Sequence, residues 1–347
     1  MTFSQAERRA MERALDLART SDVPLGPNPR VGCVLLDPDG STVAEGYHRG
    51  AGTPHAEVDA LDRARGRTRG TTAVVSLEPC NHTGRTGPCT RALVEAGVSR
   101  VVYAQTDPNP LAAGGTEALR AAGIDVEHGL MAGDALAVNR AWTFAMRHDR
   151  PFVTWKFATT LDGRSAAADG TSRWVSSAAA RLDTHRLRGE ADVILAGTGT
   201  VLLDDPELTV RDVDGKPRER QPLRAVMGLR PVPGDRRVLN DVADTVVLAT
   251  RDPAEALARL FALERRHVFV EGGPTLAAAF LRAGLVDEVV AYVAPMLLGS
   301  GLHAVADLGI TTIADAVRFE VADISVVGEG NDANARFTLT PIPGKER

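Results

Sequence analysis

Three cysteines in 347 residues are too few for the disulfide framework of a secreted domain, so each thiol is expected to be a core residue or a metal ligand in a reducing compartment. Aromatic residues make up only 4% of the chain, which leaves little for the stacking platforms that hold single-stranded nucleic acid. The formal net charge is −5, and no run of Lys and Arg exceeds two. A protein that grips a phosphate backbone usually carries a basic stripe, so no nucleic-acid partner is expected. Small phosphorylated ligands stay open, because one or two arginines suffice for them. Nowhere is there a stretch of roughly 20 apolar residues, the length that spans a bilayer. The first twenty residues mix acids with bases and read as an amphipathic helix rather than a signal peptide. Ser4-Gln5-Ala6-Glu7 has the capping-box form, and Met11, Ala14, Leu15 and Ala18 recur on one face. The expectation is a cytoplasmic protein without a membrane segment.

What is present is the composition of an ordinary globular protein, 44% hydrophobic and 24% charged, with enough length for two domains. In the first 130 residues, apolar runs at 31–36, 73–77 and 101–104 alternate with helical patterns at 55–65, 90–96 and 116–122. The last two helices are closed by Gly97 and Gly123. This alternation predicts an α/β layer fold with a mostly parallel sheet. A further helix is expected over 134–144, and the charged stretch ending at Pro151 marks a boundary. The domains are therefore placed at 1–146 and 151–347. The second half opens on a strand, Phe152 to Phe157, that puts Trp155 and Lys156 on opposite faces. More strands are expected at 193–196, 225–227, 245–249, 268–270, 288–293 and 335–340, and the charged insert 212–220 reads as a solvated loop.

The sharpest constellation is Pro54-His55-Ala56-Glu57, followed by Glu78-Pro79-Cys80 and then Pro88-Cys89. Deamination of a nucleic base needs a metal that turns water into a nucleophile. One His and two Cys thiolates hold zinc and leave a fourth position for that water. It also needs a carboxylate outside the ligand set to move the proton, and His-x-Glu supplies both from one helix start. His55, Cys80 and Cys89 are thus the predicted zinc ligands, with Glu57 as the predicted catalytic group. The generic signature separates the cysteines by two residues, whereas here eight intervene. The plain alternative is a surface histidine and two core cysteines, which leaves the ordered coincidence of three motifs unexplained. Cys33, inside an apolar run without partners, is read as core.

The second half is less specific. Gly197-Thr198-Gly199-Thr200 follows a strand but lacks the third glycine of a dinucleotide fingerprint. Glu271-Gly272-Gly273-Pro274 ends a strand and starts a helix with Pro at its first position. Exposed N–H groups there suit a pyrophosphate, and an ordinary glycine turn would be written the same way.

Four segments carry a resemblance: Gly26 to Cys33, His55 to Val58, Ser76 to His82, and Asp107-Pro108-Asn109-Pro110. Together with Lys156 to Gly163, Ser172-Arg173-Trp174, Thr200 to Pro206 and Ala294 to Gly299, they resemble the bifunctional riboflavin-biosynthesis deaminase–reductases over nearly the whole chain. The resemblance implies a cytidine-deaminase-like three-layer α/β/α domain, followed by an α/β domain with a mixed sheet similar to dihydrofolate reductase. It implies hydrolysis of the 2-amino group of a pyrimidinone bearing a ribosylamine 5-phosphate, then hydride transfer from NADPH to the sugar. Carried over by position, Asn28, His48, His82 and Arg85 would contact the deaminase substrate. Ala158, Trp174, Thr200, Asp204, Gly273, Pro274, Thr275 and Leu276 would line the NADPH site. Lys156, Ser172, Arg188, Leu208, Arg211 and Glu271 would line the reductase substrate site, with Arg188 and Arg211 as phosphate clamps.

The chain departs from the family at Met227-Gly228-Leu229, where an aspartate or serine is more common near the adenosine end of the cofactor. Arg230 and Arg251 are left as cations for a 2′-phosphate. Two other readings compete: a deaminase of bases in nucleic acid, and a deaminase whose C-terminal half only dimerises. The acidic, aromatic-poor composition opposes the first, and the intact Lys156, Asp204 and Glu271 segments oppose the second. A homodimer or higher homo-oligomer is expected from the apolar stretch 294–302.

Overall fold

The computed structural model describes residues 3–20, 26–83, 87–110, 112 and 114–342. The chain divides into two compact units, Met1–Asp149 and Arg150–Arg347. No helix among the described residues is long and apolar enough to cross a membrane.

The first unit contains α1 (Gln5–Ala18), β1 (Gly32–Leu36), β2 (Thr42–Tyr47), α2 (Ala56–Arg63), β3 (Thr72–Leu77), α3 (Cys89–Glu95), β4 (Arg100–Gln105), α4 (Gly115–Ala121), β5 (Asp125–His128), α5 (Ala132–Val138) and α6 (Arg140–His148). Its five strands lie in the order β2-β1-β3-β4-β5. The expected mostly parallel sheet is corrected: β1 pairs antiparallel with both β2 and β3, and only β3/β4 and β4/β5 are parallel. The first two strands form a hairpin, which needs no crossover helix, so only the later strands acquire parallel partners.

Strand alternation sorts the side chains to the two faces of the sheet. Val34, Leu36, Val74 and Val102 pack on one face with Met11, Ala14 and Leu15 of α1. Cys33, Leu35, Ala73, Val75 and Tyr103 pack on the other with Ala56 and Ala60 of α2, Leu93 of α3 and Leu119 of α4. Helices on both faces make three layers. Cys33 is fully buried in this core, as its apolar setting suggests. The capping box of α1 is formed, with Glu7 N–H donating to Ser4 Oγ at 3.1 Å and Ser4 N–H to Glu7 Oε2 at 2.7 Å.

The single helix expected over 134–144 is two helices broken at Asn139. Its side chain turns away to bond the backbone of Arg30, accepting from N–H and donating to the carbonyl, each at 2.8 Å. A buried amide committed in this way to a distant segment competes with helix continuation.

The second unit runs β6 (Phe152–Thr160), β7 (Arg164–Ala166), α7 (Ala178–Arg188), β8 (Val193–Gly197), α8 (Thr198–Asp204), β9 (Leu223–Met227), β10 (Thr245–Leu248), α9 (Pro253–Ala262), β11 (His267–Val270), α10 (Pro274–Arg282), β12 (Glu288–Ala294), β13 (Leu302–His303), β14 (Phe319–Val327) and β15 (Asn334–Pro341). Eight strands form one sheet in the order β10-β9-β8-β11-β6-β12-β15-β14. The first six are mutually parallel, and β15 and β14 close the edge in antiparallel fashion. This is a mixed sheet. Val153 and Trp155 bury against α9 and α10 residues such as Leu257, Leu260 and Phe280. On the opposite face Ala158, Val290 and Tyr292 meet Ala180 and Leu187 of α7.

Glycine is required where α2 crosses β2. A Cβ at Gly46 would lie 2.4 Å from both Ala56 O and Ala60 N. Gly46→Ala therefore has to push away the helix that carries Glu57, at a cost of about 1–3 kcal/mol. It is expected to lower the thermal midpoint of the first unit and weaken its metal binding. Gly133→Ala, in the open on α5, is expected to do neither. Equal midpoints for the two variants would refute this packing argument.

Candidate functional site

In the first unit the sites of chemistry sit where helices begin. His55 is the N-cap residue of α2 and makes no side-chain capping bond; its imidazole turns toward the two cysteines instead. Cys89 opens α3 directly after Pro88. Cys80 lies three residues past the end of β3. One ligand atom from each falls within 4.8 Å of the others. His55 Nδ1 is 3.3 Å from Cys89 Sγ and 3.5 Å from Cys80 Sγ. A tetrahedral zinc with ordinary Zn–S and Zn–N bonds has S···N edges of about 3.6 Å. One imidazole and two thiols at those separations fit a zinc ion and leave one vertex open.

The electrostatics are those of a cluster waiting for a cation. The hydrogen bond between the two thiols pulls Cys80 down to about 4 and pushes Cys89 well above the usual thiol range. The Cys80 sulfur also raises His55. Glu57, in the first turn of α2, is only 3% exposed. Burial, with the Cys80 thiolate beside it, pushes its carboxyl up to about 7. The charges of Glu57 and the two cysteine sulfurs act on one another, and Glu57 lies beside the His55/Cys80/Cys89 cluster without belonging to it.

His48 sits edge-on to His55, with ring centroids 5.2 Å apart. Its Nδ1 is 3.0 Å from the Pro54 carbonyl and must donate to it, so Nε2 accepts from Asn28 Nδ2, also at 3.0 Å. Burial lowers the His48 pKa and keeps the ring neutral, as that pattern requires. Asn28 and His48 are thus joined beside the triad. Its loop is fixed from below by the paired bonds between Arg30 and Asn139. His82 is half-buried, and its Nδ1 has no hydrogen-bond partner among the described residues. Arg85 lies outside the described residues.

Several residues that shape this site were not singled out from sequence. Glu78 accepts from Thr116 N–H and Oγ1, each at 3.0 Å, and from Asp107 N–H at 3.3 Å. It ties the strand end that bears Cys80 to the start of α4. Asn81 Oδ1 accepts from Thr90 Oγ1 at 2.9 Å and so links the two cysteine segments. Asp107 is pushed up to about 7 by burial. The signal for Glu78 was its place in Glu78-Pro79-Cys80, and Asp107 sits in Asp107-Pro108-Asn109-Pro110. Neither motif states which atoms meet.

In the second unit the structure gathers Lys156, Glu271 and Arg188. Arg188 Nη2 donates to Glu271 Oε2 at 2.9 Å, and its Nη1 to the Thr209 carbonyl at 2.8 Å. Burial alone would raise Glu271, yet Arg188 outweighs it and holds the carboxyl below the usual range. Burial lowers Lys156, whose ammonium lies 5.5 Å from the centre of the Tyr292 ring. Arg188 is thus already committed to Glu271. Arg211 pairs with Glu207 and donates to the Gly215 carbonyl at 2.8 Å. Leu208 points into the core with Ile194, Val201 and Val226.

A second group forms around two strand ends. Gly273 N–H donates to Thr200 Oγ1 at 3.3 Å. Gly273 is the N-cap of α10 without a capping side chain, and Pro274 occupies the first turn. The Thr275 N–H is therefore left for a ligand, which fits the pyrophosphate of a dinucleotide. Leu276 packs under Gly197 and Gly272, and a Cβ at Gly272 would be 2.5 Å from its Cδ2. Asp204 ends α8, and its carbonyl accepts from Arg173 at 3.3 Å. Ser172 and Trp174 are exposed, and the Trp174 ring stacks 4.3 Å beneath the Arg181 guanidinium. Ala158 is half-buried beside Tyr292.

Comparison with known proteins matches these two arrangements to two families. Residues 4–105 match the cytidine and deoxycytidylate deaminase zinc-binding region, and residues 151–332 match the RibD C-terminal domain. The riboflavin biosynthesis protein RibD of Mycobacterium tuberculosis is 52% identical over 303 residues, covering 87% of this chain and 89% of that one. The structure of Acinetobacter baumannii RibD superposes with a TM-score of 0.89 at 36% identity, over 98% of this chain and 99% of that one. A Thermotoga maritima structure described as a diaminohydroxyphosphoribosylaminopyrimidine deaminase/5-amino-6-(5-phosphoribosylamino)uracil reductase gives 0.87 at 31% identity, over 97% and 99%. With both halves matched in the same order along the chain, the protein belongs to the RibD family of riboflavin biosynthesis proteins.

Proposed function

We infer that the chain catalyses two successive reactions of riboflavin biosynthesis. The first unit hydrolyses the 2-amino group of 2,5-diamino-6-(5-phosphoribosylamino)pyrimidin-4-one, and the second reduces the ribosyl group of the resulting uracil with NADPH to a ribityl chain. The observation that carries this reading is the His55/Cys80/Cys89 cluster with Glu57 buried against it, in a chain that continues into a RibD C-terminal domain.

His55, Cys80 and Cys89 would hold a zinc ion, which would supply Lewis acidity and make a nearby water more acidic. The chain's own residues do the rest. Glu57 takes the proton of the attacking water and returns it to the departing amine, which needs a carboxyl that titrates near neutral pH. A bound dication would lower that value and favour the proton-accepting form. Asn28 and His48 orient the pyrimidine ring, and His82 and Arg85 are assigned to its ribose phosphate. In the second unit NADPH supplies the hydride. Thr200 and the Gly273–Leu276 turn seat its pyrophosphate, with Ala158, Trp174 and Asp204 along the same cleft. Lys156 polarises the sugar, Glu271 and Arg188 form its wall, and Ser172 and Arg211 lie toward the phosphate. Leu208, being in the core, acts by packing beneath them. Hydride transfer mainly requires the two rings held face to face in a dry cleft.

A homodimer or larger assembly belongs to the same proposal. Leu297 and the β14 residues Val321, Ile324 and Val326 are exposed, and exposed apolar side chains of that kind suit a subunit contact. A reducing cytoplasm suits a site built on free thiols.

Glu57→Gln is expected to keep zinc and lose ammonia release by about 10²- to 10⁴-fold. Near-normal release would remove Glu57 from the mechanism. Lys156→Ala is expected to damage NADPH oxidation and spare deamination, and a parallel loss of both would contradict two separate sites. Because zinc ligands must be deprotonated, and Cys89 holds its proton tightly, zinc uptake at neutral pH should release a proton. Apparent affinity should therefore tighten from pH 6 to pH 8 in a calorimetric titration of metal-free protein. An affinity independent of pH would contradict this ligand set.

A further inference from the structure

Three parallel strands of the second unit end side by side in the order β9, β8, β11. β11 runs into Gly272 and Gly273, β8 into Gly197 to Thr200, and β9 into Gly228 to Arg230. In parallel register Gly197 stands beside Met227, so Gly228 lies next to the turn that begins α8.

A side chain at position 228 cannot be accommodated in this chain. Gly228 has φ +147, and a Cβ there would lie 2.4 Å from Thr198 Oγ1. Thr198 is buried and does not swing clear without disturbing the turn. Position 228 therefore offers no ligand atom beyond its backbone. Two residues on, Arg230 is exposed, and its guanidinium rests against the α8 turn. A Cβ at Gly199 would lie 2.9 Å from Arg230 Nη2. No ion pair or hydrogen bond is formed with Arg230 among the described residues. Arg251 follows β10, one strand further out, and none of the glycine contacts along this edge involves it.

The geometry points to Arg230 as the residue that selects NADPH over NADH by pairing with the 2′-phosphate of the adenosine ribose. This rests on the reductase reading above, through the direction in which the dinucleotide lies. The reducing end has to reach the substrate group near Lys156 and Glu271, at β6 and β11. With the pyrophosphate at the start of α10, the adenosine end then extends the other way, over β8 toward β9. There an unpaired guanidinium provides a planar fork for a phosphate dianion. The glycines at 199 and 228 leave it room to lie flat on the turn.

The test compares binding rather than turnover. NADP⁺, NAD⁺, adenosine 2′,5′-bisphosphate and adenosine 5′-phosphate are titrated calorimetrically into the full-length protein and its variants. The wild type is expected to favour the 2′-phosphorylated member of each pair. Arg230→Ala should reduce that preference by about 10- to 100-fold, the range for one charge-assisted hydrogen-bonded pair, with NAD⁺ affinity unchanged. Arg230→Lys should recover part of it, and Arg251→Ala should keep it. Retention of the wild-type preference by Arg230→Ala overturns the inference while leaving the reductase reading intact, as does its loss in Arg251→Ala alone. A wild type that binds none of the four overturns both.

Discussion

The first unit depends on holding three soft donors together before any metal arrives. Two thiols and an imidazole within 4.8 Å of one another are an awkward cluster without a cation, since two thiolates repel and a buried one is poorly solvated. The two sulfurs shift each other in opposite directions, Cys80 down and Cys89 up, with His55 and Glu57 beside the pair. Much of the surrounding fold serves to keep that cluster assembled. Gly46 lets α2 lie close on β2 and so sets the depth of His55 and Glu57. Glu78 and Asn81 brace the two segments that carry the cysteines. Asn139 breaks a helix in order to pin the loop of Asn28.

On the reading proposed, the second unit solves a different problem, which is to hold two phosphorylated partners in line. Its charged groups are paired in advance. Arg188 and Glu271 neutralise each other where an isolated charge would be costly, and burial lowers the Lys156 pKa nearby. The proposed dinucleotide site relies on backbone N–H groups at a helix start and on glycines that allow close approach. Such a site reads faintly in sequence, because glycine turns between strand and helix are common for purely structural reasons.

That difference explains what could be read in advance. His55, Glu57, Cys80 and Cys89 were legible because zinc chemistry demands particular residue types, and the motif order survives even with eight residues between the cysteines. Most strands were legible as apolar runs, buried on both faces. β2 was not: its inward positions include Gly46, whose smallness serves α2 and erases the alternation. β14 escaped because a bulge between Val321 and Asp323 shifts its period and most of its side chains are exposed. The parallel reading of the first sheet failed because β1 pairs antiparallel both with its hairpin partner β2 and with β3. Hydrogen bonds across long sequence separations, such as Asn139 to Arg30, leave no local trace. The core position of Leu208 likewise depends on partners scattered over more than forty residues.

The central claim is a three-ligand metal centre with one open position, and X-ray absorption on the zinc-loaded, substrate-free protein tests it most directly. The account predicts two sulfur donors at about 2.3 Å, one imidazole nitrogen at about 2.0 Å and one further light-atom donor that exchanges with added substrate analogue. A shell of four protein donors, or one without sulfur, would contradict it.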